Sequence, residues 1–379
     1  MKITGIEPFP VYNGRTYNIF FVVDTDEGIS GIGESGLTAR PRAVLGALED
    51  LKYLVIGQEA NRIEHIWQQL YRVNFYPAAL EAASAIAAID IALWDIKGKA
   101  LGVPVYELLG GRVRDKVVCY SHNEAEGFDV DGLVENCLKA VEEGWKFVRF
   151  NLPQEGDIIE PTPSIRHGIR MVEKVREAVG PDIEICFDVH TRLDLPDAVY
   201  LCNQVQPYRP YFIEDPLRSE NINTFAALRP QTSAPLATGE VFYNKWQFRE
   251  LIEDDLIDYI RVDLCLCGGL TESRKITHWA ETHYIKLVPH NPLGPVSTAA
   301  CLHLDLACSN FGVHEQSRLP GTTMTDVFPV QVEWEDGYLL PPTAPGLGIE
   351  FDRDAASRYE MGRRPYNIYW RLDGSLTNL

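Results

Sequence analysis

The chain is short of positive charge. Its 379 residues include 35 Lys and Arg against 54 Asp and Glu, which gives a formal net charge of −19 at pH 7. Phosphate backbones are bound by clustered Lys and Arg, and a field this negative repels them. Nucleic acid and anionic membrane surfaces are therefore poor candidate partners. If the substrate is itself an anion, a metal ion or a local basic patch must reverse the field at the site.

Long apolar runs and paired cysteines are also missing. No stretch approaches 18 uninterrupted apolar residues, so no membrane span is predicted. The N-terminus begins directly with a strand-like alternation and no apolar leader. The eight cysteines form no CxxC pair, and Cys265 and Cys267 lack zinc-ligand partners at the usual spacing. This usage favours buried free thiols in a reducing cytoplasm.

The chain divides into three segments with different residue patterns. Residues 1–112 show alternating strand patterns followed by apolar residues at three- and four-residue steps, which predicts an α+β module. Residues 113–326 alternate short apolar runs with amphipathic helical stretches. The Pro- and Gly-punctuated segment 327–379 is expected to leave the central domain and pack back on the first module.

The central segment contains eight candidate strands. They are Lys116–Tyr120, Phe147–Asn151, Ile183–Asp188, Tyr211–Glu214, Leu236–Glu240, Tyr259–Asp263, Lys286–His290 and Gly312–Glu315. Strands that alternate with helices pair in parallel through crossover helices, and eight such units predict an α/β fold of the (β/α)₈-barrel type. An open doubly wound sheet is the alternative, but no glycine fingerprint follows a first strand.

Titratable side chains end six consecutive units, at intervals of 23 to 27 residues. They are Asp188, Glu214, Glu240, Asp263, His290 and Glu315. In a parallel barrel every C-terminal strand end opens on the same face, where active sites form. Crowded like charges are costly unless a cation or a proton compensates them. The pattern therefore predicts one functional site at the barrel mouth.

The first three carboxylates make the best metal-ligand set, because the fourth precedes a histidine unit. Three carboxylate oxygens leave half an octahedral shell open, which suits Mg²⁺ with water and a substrate oxygen. Zinc would prefer His or Cys ligands. We therefore expect Asp188, Glu214 and Glu240 to hold Mg²⁺.

Two histidines accompany these carboxylates. His190 follows Asp188 by two residues and would share its face of an extended strand. Asp263 is expected to orient His290, which would take a proton alpha to a substrate carboxylate. Glu315, if protonated or sharing a proton, would hydrogen-bond the other oxygen of the resulting enediolate. The second histidine then gives either dehydration, by protonating a departing hydroxyl, or racemisation, by protonating carbon on the opposite face.

The motifs that carry these residues resemble a known family. They are Ile185–His190, Phe212–Pro216, Thr238–Glu240, Val262–Asp263 before Gly268–Thr271, and Pro289–Pro295, together with Ile89–Lys99 in the first module. Over essentially the whole chain they resemble the enolase superfamily, mandelate racemase subgroup. Within it the stretches from His290 to His303 and from Glu315 to Ser317 are similar to the D-galactonate dehydratases.

The resemblance implies a role for each strand-end residue. It assigns Mg²⁺ ligation to three carboxylates, Asp188, Glu214 and Glu240. It makes His290, oriented by Asp263, the base that removes the proton on carbon 2 of an aldonate. His190 then becomes the acid for the leaving 3-hydroxyl, and Glu315 holds the enediolate. The enol product tautomerises to a 2-keto-3-deoxy acid.

Substrate contacts are expected from the cap and the first barrel strands. The segment 33–42 is expected to close over the mouth, with Arg40 near the distal hydroxyls. Asn151 matches the dehydratase pattern, whereas Arg149 replaces a lysine there and can position substrate but not act as a base. His122 lies in a sequence similar to that of mannonate dehydratases.

The competing functions are a racemase or epimerase of a 2-hydroxy acid and a sugar-acid-binding relative with low activity. The second strand lacks the Lys-x-Lys pair of cycloisomerase-like relatives, which disfavours a lysine-based mechanism. The expected partner is a small sugar acid, and the family resemblance implies a homo-oligomer.

Overall fold

The N-terminal module is a three-stranded antiparallel sheet covered by helices. The computed structural model describes residues 1–73, 75–363 and 366–378. The sheet contains β1 (Ile3–Tyr12), β2 (Tyr17–Thr25) and β3 (Ser30–Ser35) in that order. The helices are α1 (Pro41–Val55), α2 (Ile63–Arg72), α3 (Leu80–Leu101) and α4 (Val105–Leu108). This arrangement confirms the predicted α+β cap.

The long helix α3 packs directly on β3. Its residues are buried on every side from Ala83 to Ile96, as expected of a helix whose sequence is apolar all round. Gly31 and Gly33 of β3 allow the close approach. A Cβ atom at Gly33 would lie 1.7 Å from the carbonyl oxygen of Ala88, so any side chain there would push the helix away.

The central segment forms a parallel barrel sheet. Its strands are β4 (Val117–His122), β5 (Phe147–Asn151), β6 (Glu184–Asp188), β7 (Phe212–Glu214), β8 (Leu236–Thr238), β9 (Tyr259–Ile260), β10 (Lys286–Leu287) and β11 (His314–Glu315). Each pairs in parallel with the next from β4 to β10, and β11 pairs with β4. Phe311, just before β11, bridges Leu287 of β10, so the two ends of the sheet meet at this segment. The barrel prediction is confirmed.

Helices cover the outside of this sheet. They are α5 (Val130–Glu142), α6 (Pro161–Val179), α7 (Leu195–Val205), α8 (Thr224–Leu228), α9 (Arg249–Glu253), α10 (Gly269–Glu281) and α11 (Pro295–Ala307). Short 3₁₀ turns span Glu126–Phe128, Gln206–Tyr208, Arg229–Gln231 and Lys245–Phe248. The segment 245–253 is thus a 3₁₀ turn followed directly by α9 rather than one continuous α-helix.

The last segment returns to the cap. It contains β12 (Trp334–Glu335), β13 (Tyr338–Leu339), α12 (Arg353–Ala356), β14 (Tyr369–Trp370) and β15 (Leu376–Thr377). The backbone N–H of Leu347 donates to Asp95 of α3 at 2.8 Å, and the Phe351 ring packs against Phe9 of β1. Other parts of the segment stay on the barrel, because β13 pairs with β4 and Trp370 of β14 bridges Ile158. The division of the chain after residues 112 and 326 stays a prediction.

Two further expectations concern the cysteines and the membrane. All eight cysteines are buried free thiols. Within the described ranges, none of the helices combines the length and the apolar character that crossing a membrane requires.

Candidate active site

A cavity of about 430 Å³ opens at the C-terminal ends of the barrel strands, where barrel enzymes place their active sites. It is lined by Asn13, Arg15, Thr16, Thr38, His122, Glu124, Arg149, Asn151, His190, Glu240, His290, Pro292, Leu293, Glu315 and Arg318. Its volume falls in the range of small-molecule sites. Both the cap and the barrel contribute to its walls.

Buried carboxylates crowd together at the base of this cavity. Asp188 ends β6 and stands in register with Glu214, which ends β7. One oxygen each of Glu214, Asp215 and Glu240 lies within 4.8 Å of the other two. Glu214 Oε2 and Asp215 Oδ2 are buried with no hydrogen-bond partner among the described residues. This grouping contains two of the three predicted ligands and adds Asp215.

Asp188 lies beside this group but is held by its own partners. Its Oδ1 accepts the backbone N–H of His190 at 2.7 Å, and its Oδ2 accepts from the guanidinium of Arg149. The Arg149 guanidinium also binds Glu124 at 2.7 Å. Arg149 therefore fixes the orientation of Asp188.

The electrostatics of the carboxylates fit a cation. Burial, and then the negative charge of neighbouring carboxylates, raise the pKa values of Glu214 and Asp215 well above their usual range. A buried carboxyl group with an unpartnered oxygen stays protonated unless a positive charge neutralises it. Hard carboxylate oxygens are the ligands that Mg²⁺ prefers. The residues present therefore fit a divalent metal ion.

His290 and Asp263 form the predicted dyad. His290 Nδ1 lies 2.9 Å from Asp263 Oδ2, while Asp263 Oδ1 accepts the backbone N–H groups of Cys265 and Leu266. The other ring nitrogen, Nε2, lies 3.6 Å from Glu240 Oε2. Burial alone would lower the pKa of His290, but Glu240 and Asp263 outweigh it and raise that pKa to about 9.

His190 reaches the cavity by a route other than the one expected. The strand β6 ends at Asp188, and His190 and Thr191 both have positive φ values, 56° and 58°. The extended i, i+2 geometry was therefore the wrong reason for placing the two side chains together, because the backbone turns sharply after Asp188. The His190 ring nonetheless lines the cavity, with Nε2 3.7 Å from Glu240 Oε1. Such backbone strain is common at functional sites.

Glu315 is more tightly bonded than the sequence suggested. Its Oε1 lies 2.8 Å from His122 Nε2, and its Oε2 accepts from Arg261 at 2.6 Å and from the backbone N–H of Asn291 at 2.9 Å. Although burial opposes it, the Arg261 charge holds the pKa of Glu315 well below its usual range. The carboxylate is therefore ionised, and its Oε1 is in contact with the His122 ring.

The predicted substrate-binding residues divide into two groups. Arg149, Asn151 and His122 line the cavity. Arg40 does not belong to the lining; its half-exposed guanidinium forms an ion pair with Glu81 at 2.5 Å. Of the segment 33–42, only Thr38 lines the cavity.

Sequence reasoning missed several residues of the site. Arg261, fully buried, donates to Glu214 and Glu315. The available signal was a lone arginine within the predicted strand Tyr259–Asp263, directly after the observed β9. Asn13 and Arg15 lie between β1 and β2, where the Asn13-Gly14 pair predicts a turn but no site residue. Arg318 follows the last barrel strand, where no local pattern predicts its direction.

Comparisons with known proteins agree with this geometry. The family profile described as mandelate racemase / muconate lactonizing enzyme, N-terminal domain, matches residues 14–110. The profile described as enolase C-terminal domain-like matches residues 132–355. A D-galactonate dehydratase of Pectobacterium atrosepticum is 40% identical over 99% of both chains, and a D-mannonate dehydratase of Caulobacter sp. strain K31 is 35% identical over the whole of both.

Two solved structures of similar fold contain bound ligands. A putative galactarate dehydratase from Agrobacterium radiobacter, with bound Na and L-malate, superposes with a TM-score of 0.93 at 30% identity over the whole of both chains. An enolase from Pantoea ananatis with bound D-gluconate and Mg gives 0.93 at 29% identity, also over the whole of both. The chain belongs to the mandelate racemase / muconate lactonizing enzyme family of the enolase superfamily, in which these relatives are named as dehydratases of sugar acids.

Proposed function

We propose that the protein dehydrates a sugar acid with the help of Mg²⁺, removing the proton on carbon 2 and the hydroxyl on carbon 3. The observation that supports this most is the placement of two histidines beside Glu240, with Nε2 atoms at 3.6 and 3.7 Å from its two oxygens. A site for carboxylate binding and two proton-transfer groups therefore share one cavity.

Asp188, Glu214 and Glu240 would hold the metal ion. When bound, a divalent cation binds the substrate carboxylate and stabilises the negative charge that develops on its oxygens. Arg149 keeps Asp188 in place, and Arg261 does the same for Glu214. Asp215 is the alternative to Asp188 as the third ligand, although its other oxygen accepts a hydrogen bond from the hydroxyl of Thr238.

His290 would act as the base. Asp263 fixes its ring by binding Nδ1, which leaves Nε2 to accept the proton from carbon 2. The negative charge of Glu240 contributes to the raised pKa of His290. Neutralising the carboxylates therefore lowers this pKa towards neutrality, where an imidazole is an effective base.

His190 would act as the acid. It gives a proton to the departing 3-hydroxyl, which leaves as water as the carbon–oxygen bond breaks. The electron pair of the broken C2–H bond becomes the new carbon–carbon double bond, and the enol tautomerises to a 2-keto-3-deoxy acid. Glu315, with the proton of its His122 contact, would hold the enediolate oxygen that faces it.

The first substrate to test is D-galactonate, with its close aldonate epimers, because a relative named D-galactonate dehydratase is 40% identical to this chain. The purified protein with Mg²⁺ is expected to form a 2-keto-3-deoxy acid from at least one member of a panel of stereoisomeric sugar acids. His290→Asn should abolish product without changing the melting temperature. A panel that yields no keto acid with Mg²⁺ present would refute the proposal.

The same assay distinguishes the dehydratase from the alternative functions. Incorporation of solvent deuterium at carbon 2 without loss of water would identify a racemase or epimerase instead. Tight sugar-acid binding with negligible turnover would identify a binding relative. We further propose that the chain forms a homo-oligomer, which light scattering of the purified protein tests.

A further inference from the structure

Two arginines of the cavity form no ion pair with a carboxylate of the described residues. Arg15 lies between β1 and β2 in the cap, and Arg318 lies just beyond β11 in the barrel. Both side chains line the cavity that also contains His190 and His290. Among the described residues, neither guanidinium forms an ion pair with a carboxylate, and Arg318 Nη1 is buried with no hydrogen-bond partner.

The other charged groups of the cavity wall are already engaged. Arg149 binds Glu124 and Asp188, and Glu315 binds Arg261. Glu240 faces the two histidines. Among the arginines that line the cavity, Arg15 and Arg318 are thus the two whose charge is not balanced by a carboxylate of the described residues. Arg15 belongs to the cap and Arg318 to the barrel.

This surplus is unusual in so acidic a protein. The chain carries a net charge of −19, yet two like charges face the same enclosed space. Burial and then the nearby charge of Arg15 lower the pKa of Arg318, as expected of cations without a counter-ion. Holding two positive charges in one cavity costs free energy, and an anion bound between them removes this cost. Guanidinium groups bind carboxylates bidentately, so a carboxylate suits this place.

We propose that Arg15 and Arg318 bind a second carboxylate of the substrate, so that the preferred sugar acid is an aldarate rather than an aldonate. This inference rests on the proposed function, in which the first carboxylate binds at the metal site beside Glu240. A sugar diacid then has one anionic group for each cationic region of the cavity. The hydroxymethyl end of an aldonate leaves the two guanidiniums without a counter-ion.

The test compares matched pairs of substrates that differ only at the far end. Galactonate is assayed against galactarate, gluconate against glucarate and mannonate against mannarate, with Mg²⁺ and detection of the keto acid. For the accepted stereochemistry we expect kcat/KM to be about tenfold or more higher for the diacid. Equal values for both members of the accepted pair would overturn the proposal, and so would a stronger preference for a 6-phosphorylated aldonate.

Variants locate the effect. Arg318→Met and Arg15→Gln should each raise KM for the diacid about tenfold or more, a larger change than for the aldonate, and so reduce the preference. Arg318→Lys should keep part of it, because the charge remains without the planar fork. The matched control is Arg170→Met, which changes an exposed arginine on α6 outside the cavity. An unchanged preference in Arg318→Met would overturn the assignment.

Binding separates this inference from the proposed reaction. In the His290→Asn variant loaded with Mg²⁺, isothermal titration should show tighter binding of the diacid, and Arg318→Met should remove the difference. If no sugar acid is turned over by the wild-type protein but the diacid still binds through Arg318, the dehydratase proposal fails while the anion site stands. If an aldonate is turned over and the diacid is not bound more tightly, the anion site fails alone.

Discussion

Glu34 of the cap accepts a hydrogen bond from the backbone N–H of Ser297 at 2.9 Å, in the first turn of barrel helix α11. The same carboxylate accepts from the backbone N–H of Gly294 at 2.8 Å and from Asn18 Nδ2 at 2.6 Å. It is completely buried. A negative group at a helix N-terminus satisfies unpaired N–H donors and interacts favourably with the helix dipole.

This contact connects both walls of the cavity. Asn18 also accepts from Asn13, which lines the cavity, and Gly294 ends the loop that begins at His290. Removing Glu34 therefore leaves three donors without an acceptor. We expect Glu34→Ala to lower the free energy of unfolding in urea by about 2–3 kcal/mol and to reduce kcat/KM, with a smaller loss for Glu34→Gln.

The control for Glu34 is Glu135→Ala, which removes an exposed carboxylate on α5. It should change neither unfolding nor turnover. If Glu34→Ala unfolds at the same urea concentration as this control, the contact does not stabilise the docking of cap and barrel.

A second buried carboxylate of the cap, Asp90, predicts a pH dependence. Its Oδ2 accepts the backbone N–H of Thr271 in the first turn of α10 at 2.9 Å, and burial is the largest influence raising its pKa from 3.8 to about 7. The folded protein therefore holds the proton over a range where the unfolded chain has lost it. Stability from this group is complete below pH 3.8 and is lost as the pH rises through 7.

Asp90→Asn keeps the acceptor for Thr271 but cannot titrate. The free energy of unfolding of the wild type, minus that of Asp90→Asn, should fall by about 3 kcal/mol between pH 4 and pH 8. Urea unfolding at several pH values measures this difference. A difference that stays constant over the range contradicts the assigned direction.

The proposed metal ligands can be distinguished one by one. Asp188→Asn and Glu240→Gln should each weaken Mg²⁺ binding by about tenfold or more in isothermal titration. Asp215→Asn should have a smaller effect, because one oxygen of Asp215 is engaged by Thr238. Loss of Mg²⁺ binding in Asp215→Asn, with normal binding in Asp188→Asn, would show that Asp215 is the third ligand.

Arg261 is the counter-ion of two carboxylates. It is fully buried, binds Glu214 and Glu315, and donates to the carbonyl oxygens of Val288 and Pro289 at 3.1 Å. Arg261→Met leaves these buried charges uncompensated and should lower the free energy of unfolding by about 3–5 kcal/mol.

Added Mg²⁺ should restore more stability to Arg261→Met than it adds to the exposed control Arg170→Met. The reason is that a cation beside Glu214 replaces part of the missing charge. Thermal unfolding with and without Mg²⁺ measures this. Equal increments in the two variants would show that Arg261 and the metal do not share Glu214.

The sequence by itself determined the barrel and the position of its mouth. Strand and helix periods are local properties of the sequence, and the C-terminal ends of parallel strands open on one face. The sequence alone therefore predicts that residues such as Glu214 and His290 lie in one site. The pairing of His290 with Asp263 followed from the same regular spacing.

Only the tertiary structure decided what closes the site from above. Glu34 contacts Ser297, 263 residues away in the sequence, and Arg15 of the cap lines the same cavity as Arg318 of the barrel. Loop directions depend on how two modules pack rather than on any local period. For the same reason Arg40, which the sequence placed at the substrate, pairs with Glu81 instead, and the sharp turn after Asp188 could not be foreseen.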